Sequence, residues 1–161
     1  MEYRFDSLPE NITQFQMLCT DFSEPETTCA LLIAALNLYV QNKEQGVQAM
    51  NLLRGPRPLS LHEEQFLRDC LRDKPYLPLA YLNGAMPENN YTPMRPFILR
   101  IDPDPRPQDV EPGYLRLYLT TAGADSPRAV KLRKKGESWY LWEHFGILPG
   151  IRIPMKEDPW A

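Results

Sequence analysis

Apolar residues recur three and four positions apart through the first half of the chain, and after Pro96 the period changes to two. In the helical half, Ile12, Phe15 and Leu18 share one face of a segment at roughly 8–19, which predicts a short amphipathic helix. Over roughly 25–41, Cys29, Leu32, Ile33, Leu36 and Val40 form one face while Leu31, Ala34, Ala35 and Leu38 fill the rest, so this helix is predicted to be buried. A third helix carries Val47, Met50 and Leu53 and stops at Gly55. A fourth carries Phe66, Leu67, Cys70 and Leu71 and stops before Pro75. Each has a start signal. In SLPE at 7–10, SEPE at 23–26, NKEQ at 42–45 and SLHE at 60–63, a capping Ser or Asn lies three residues ahead of a Glu or Gln that can return the hydrogen bond.

The period-two part reads as the strands PFILRI, YLRLYLTT, AVKLRKK and SWYLWEHF, linked by DPDPRPQDVEPG, GADSP and a tight KKGES turn. Such short links imply antiparallel neighbours. Leu115, Leu117 and Leu119 point one way, joined by Val130 and Leu132, and Tyr114, Arg116, Tyr118, Lys131 and Arg133 point the other. The leucine face is the expected core. In the last strand Trp139 and Leu141 take one side and Tyr140 and Trp142 the other, so it is covered on both sides or shows an aromatic patch. Helices and strands in separate blocks indicate an α+β fold, with four N-terminal helices packed on a C-terminal antiparallel sheet of about four strands. The reading is one domain over 1–161: a helical part at 1–74, an ordered connecting loop at 75–95, and the sheet with a docked C-terminal tail at 96–161. Leu32, Ile33, Leu36, Phe66, Leu117 and Leu119 are expected to be nearly inaccessible. Trp160, beside the C-terminus, is expected to dock with its tail.

At 161 residues the chain is long enough for a core without staples, and its net charge of −3 argues against nucleic acid as a partner. The start MEYRFDSLPEN has no apolar run behind a basic stretch, and CALLIAAL is too short to cross a bilayer, so neither export nor membrane attachment is expected. Cys19, Cys29 and Cys70 are odd in number and never spaced as CxxC. They read as reduced side chains of a cytoplasmic protein, and no metal site or cofactor is expected.

Three stretches are candidates for chemistry. NGAMPENNYTP, 83–93, gathers side-chain amides between the helical and strand blocks. Asn83, preceding Gly84, is expected to serve a turn, and Tyr91 to plug a gap under the sheet. Asn89 and Asn90 stay open between turn-forming and ligand-facing roles. KLRKKGE with Trp139, Tyr140 and Trp142 has the look of a basic, aromatic surface, although lysines at a hairpin tip ordinarily keep a sheet edge soluble. Asp125, Ser126 and His144 supply the residue types of a hydrolytic triad without its local geometry, which leaves His144 as the one catalytic candidate. The favoured function is a non-catalytic binding or protein-interaction module that uses Asn89, Asn90, Tyr91, Tyr140, Trp142 and His144. Its partner would be a protein or a small polar ligand. The alternative is an enzyme acting on a small polar substrate in a cleft between the 83–93 loop and the sheet. An RNA-associated protein is third.

The strings RGPRPLS, KPYLPLAYLNGAMPENNYTP, GADSPRAVKLRKKGESWYLWEHFGIL and IRIPMKEDPWA resemble an uncharacterised family of Firmicutes proteins over nearly the whole chain. That resemblance implies a bacterial, cytoplasmic setting and assigns no activity. Met86 departs from its pattern, which favours Thr there.

Overall fold

The structure, a computed structural model, describes residues 1–161. Four helices, α1 (Ile12–Leu18), α2 (Pro25–Gln41), α3 (Lys43–Arg54) and α4 (Leu61–Leu71), precede four of the five strands of an antiparallel sheet. The strands β1 (Glu2–Phe5), β2 (Phe97–Pro103), β3 (Tyr114–Leu119), β4 (Arg128–Lys135) and β5 (Ser138–Glu143) lie in chain order across it. The class is α+β as expected, with five strands rather than about four. The additional one is β1, which pairs with β2 from Glu2↔Arg100 to Phe5↔Phe97. Four residues show too little alternation to announce a strand, and β1 is held by a partner almost a hundred positions away.

Two of the four helix starts carry the expected cap, α4 with the full reciprocal box and α3 with half of it, since Gln45 Oε1 accepts from Ile12 N–H instead of from Asn42. Ser60 and Glu63 make a reciprocal capping box on α4, and Asn42 accepts from the Gln45 N–H on α3. The other two differ. α1 is capped by Asn11, whose side chain accepts from Gln14 N–H, so SLPE lies outside the helix. α2 begins with Pro25 at its first position and has no side-chain cap at all.

Buried residues run continuously along α2 from Thr28 to Tyr39, as its all-round apolar pattern requires. It packs on α3 and on the sheet face formed by Leu99, Ile101, Leu117, Leu119, Val130, Leu132 and Leu141, all buried. Phe66 does not join them and is 38 % exposed. α4 buries the narrow stripe Leu67 and Leu71, leaving Phe66 at its rim, edge-on to Phe145. The C-terminal tail docks through Pro154, which is buried, and through Arg152, whose N–H donates to Gly123 O and whose carbonyl accepts from Tyr91 Oη. Trp160, by contrast, is 93 % exposed, so the tail is anchored ahead of its tryptophan. The three cysteines are free, Cys29 buried and Cys19 and Cys70 half-buried.

Candidate functional site

The 83–93 loop turns its amides inward. Asn89 Oδ1 accepts from the N–H groups of Met86 and Thr92, and Nδ2 donates to the carbonyls of Gly84 and Thr92. One side chain thus ties the whole loop together. Asn90 sits in the left-handed region at φ 56 and accepts from Lys156 N–H, fastening the C-terminal tail. Tyr91 is buried, stacked on Tyr76 rather than seen under the sheet, and its hydroxyl donates to Arg152 O in the C-terminal tail. Asn83 occupies the turn expected of it, beside Gly84 at φ 86 and closed by the Ala85 N–H donating to Leu82 O. Its backbone pairs with Ile98 and Met94, but its side chain is exposed and makes no hydrogen bond, so the structural role falls to Asn89 and Asn90.

Tyr140 and Trp142 lie elsewhere, on the far side of β5 from the core. The turn after α3 wraps past this strand. Gly55, at φ 63, lies so close to Tyr140 that a Cβ there would fall 2.6 Å from the ring. The turn's next cation, Arg57, places its guanidinium 3.9 Å from the centre of the Trp142 indole and donates from Nη2 to Trp142 O. Arg133, from β4, lies over the same indole at 4.7 Å and over the Tyr114 ring at 5.3 Å. Between the turn and the β4–β5 hairpin is a cleft of about 420 Å³, lined by Arg57, Arg133, Lys134, Lys135, Tyr140 and Trp142 among others, and by no carboxylate. None of these four cations belongs to an ion pair. Lys134 and Lys135, read as solvated tip residues, therefore border a cationic, aromatic-walled cleft.

Behind the cleft lies a buried polar triad. Arg54, 1 % exposed, reaches Glu63 with Nη2 at 3.0 and 3.1 Å and Arg57 O with Nε at 3.0 Å. Its Nη1 meets Nε2 of His144, itself 2 % exposed, at 2.7 Å. A guanidinium can only donate, so Nε2 is the acceptor and the imidazole is neutral with its proton on Nδ1. Burial, then Arg54 and Arg57, hold the His144 pKa down at about 3. Burial would raise the carboxyl of Glu63, but the hydrogen bonds from Ser60 and the charge of Arg54 leave it below its usual value. His144 is thus a clamp for Arg54. It lies under a second cleft of about 520 Å³ that shares Arg57 and Trp142 with the first and adds Glu143, Arg116 and Lys131.

The six sequence candidates therefore divide. Tyr140, Trp142 and His144 gather around the 54–57 turn, while Asn89, Asn90 and Tyr91 hold the loop and tail. The loop borders a separate cleft of about 360 Å³ through Asn83, Gly84 and Ala85, which shares no residue with the Trp142 cleft. Sequence reasoning missed Arg54 and Arg57. The available signal was RGPR, two arginines around a helix-stopping glycine and a proline. No group of three or more His, Cys, Asp or Glu side chains is placed to hold a metal ion, and no helix is long and apolar enough to cross a membrane.

Residues 7–155 match a domain of unknown function, DUF6935, and the chain belongs to that family. No curated protein and no solved structure matches it.

Proposed function

We propose that this DUF6935 protein is a non-catalytic binding module of the bacterial cytoplasm, and that its recognition surface is the Trp142 cleft, where it takes a negatively charged partner. One arrangement carries the reading: Arg57 and Arg133 both lie over the Trp142 ring in a cleft that Lys134 and Lys135 also line and no carboxylate enters. In a chain of net charge −3 the cleft is a local concentration of positive potential, which attracts anions and is relieved by binding one. Both guanidiniums lie over the indole and Arg57 is also tied to Trp142 O, so less side-chain entropy is lost when they grip a ligand. The cytoplasmic setting is supported by three unpaired cysteines.

The loop at 83–93 is left out of the site, because Asn89 and Asn90 use their amides on backbone groups. The enzymatic alternative needs His144 to exchange protons with a substrate, whereas its Nε2 is engaged by Arg54. The RNA alternative needs open aromatic faces for bases, and cations lie over both Trp142 and Tyr114.

The test is a calorimetric titration with two anions of different chemistry, pyrophosphate and a hexaglutamate peptide. Saturable binding of either, lost when Arg133, Lys134 and Lys135 are replaced together by Ala and kept in Asn83→Ala, is the expected result. If neither binds, or the triple variant binds as well as the parent, the cleft is not a recognition site.

A further inference from the structure

Building on that reading of the cleft, we infer that its ligand is a small molecule bearing a diphosphate, gripped by the paired guanidiniums of Arg57 and Arg133.

The inference begins with charge. Arg57, Arg133, Lys134 and Lys135 line one cleft and none has a carboxylate partner, so a monoanion leaves most of the positive charge unanswered. Geometry narrows it further. Both guanidinium carbons lie over the Trp142 indole, and most of their N–H groups have no partner within the chain. Arg57 commits only Nη2, to Trp142 O, and the Arg133 guanidinium makes no hydrogen bond within the chain. Each guanidinium edge matches a pair of oxygens. A carboxylate has one such pair and satisfies one fork, whereas a diphosphate carries enough terminal oxygens for both forks and for the two ammonium groups as well. The ligand's other end would be small, because the cleft is about 420 Å³, within the range of small-molecule sites. Recognition would rest on the phosphoryl groups, since cations already lie over the Trp142 and Tyr114 rings.

The experiment compares pyrophosphate, the hexaglutamate peptide and a ten-nucleotide oligothymidylate by calorimetry at ~150 mM salt, where loose surface attraction is screened beyond about a Debye length. The expected result is one pyrophosphate per chain, bound more tightly than the peptide despite the peptide's larger charge. Arg133→Lys keeps the charge but loses the fork, and it should weaken pyrophosphate about tenfold or more. Arg133 is exposed, so the variant is expected to melt like the parent. Lys134→Gln, a second exposed change, should weaken binding less than Arg133→Lys does. Tighter binding of the peptide, or an unchanged affinity in Arg133→Lys, would overturn the phosphoryl inference and leave the anion site standing. Tighter binding of the oligonucleotide would overturn the small-molecule assignment in favour of a nucleic-acid phosphate. Binding of none of the three would remove both the inference and the function it rests on.

Discussion

Arg54 and His144, separated by 90 positions in the chain, meet through a 2.7 Å hydrogen bond with both side chains buried. The bond joins the end of α3 to the segment that follows β5, so the cleft between them has a fixed floor. Glu63 completes the arrangement from α4 and supplies the only carboxylate that neutralises Arg54. Glu63→Ala should leave a buried guanidinium unpaired and cost about 3–5 kcal/mol. Urea unfolding measures it, and a loss under about 1 kcal/mol would mean that water solvates the Arg54 charge well enough to replace Glu63.

Acid should loosen the same triad. The unfolded chain's imidazole takes up a proton below its ordinary value of 6.5, but in the folded protein His144 resists protonation until about pH 3. Between those values the unfolded state binds more protons, so stability is full above about pH 6.5 and falls as pH drops, by up to about 1.4 kcal/mol per unit. The depressed pKa of Glu63 acts in the same sense at the lower end of the window. Unfolding midpoints across this range should slope less steeply in His144→Gln than in the parent. Equal slopes would assign the acid sensitivity to other groups.

Gly55 combines a left-handed backbone with the close approach of Tyr140, so Gly55→Ala meets two penalties at once. The expected loss is about 2–4 kcal/mol, from backbone strain plus displacement of an aromatic ring. The same change should blunt any anion binding by moving Arg57. A variant with parental stability and affinity would show that the turn can swing away without consequence.

For the loop, thermal melts should order the asparagines. Asn89→Ala removes bonds to Met86, Gly84 and Thr92 and should cost about 1–3 kcal/mol. Asn90→Ala loses the tail contact and places Ala at φ 56, for about 1–2 kcal/mol. Asn83→Ala should stay within about 0.5 kcal/mol, as befits an exposed side chain without a partner. A melt in which Asn83→Ala is the most damaging would reverse this assignment.

How far these features were legible in the sequence depended on range. SLHE and NKEQ announced their helices because a cap and its partner are three residues apart. The unbroken apolar run CALLIAAL, 29–36, announced the central helix because burial on every side leaves no polar stripe. β1 was hidden because its strand character comes from β2. Phe66 was misjudged because several apolar residues competed for one face of α4, and packing against neighbouring elements decided among them. Arg54 is the sharper case. A basic residue in the last turn of a helix, followed by glycine, reads as a solvated cation near the C-terminal dipole. Its burial follows from Glu63 and His144, which only the tertiary fold brings to it. Asn89 and Asn83 look alike as loop amides, and only the path of the backbone distinguishes them. Trp160 was expected to dock because exposed indoles are costly, but the anchoring contacts all fall earlier in the tail.

The central claim is that an anion binds at Trp142 rather than at the 83–93 loop, and side-chain NMR during a pyrophosphate titration tests it most directly. Trp142 Nε1–H and the Nε–H groups of Arg57 and Arg133 should shift together and saturate, while the side-chain amides of Asn89 and Asn90 and the indole of exposed Trp160 stay in place. Shifts centred on Asn83, Asn89 and Asn90 with Trp142 unmoved would contradict the account and return the site to the loop.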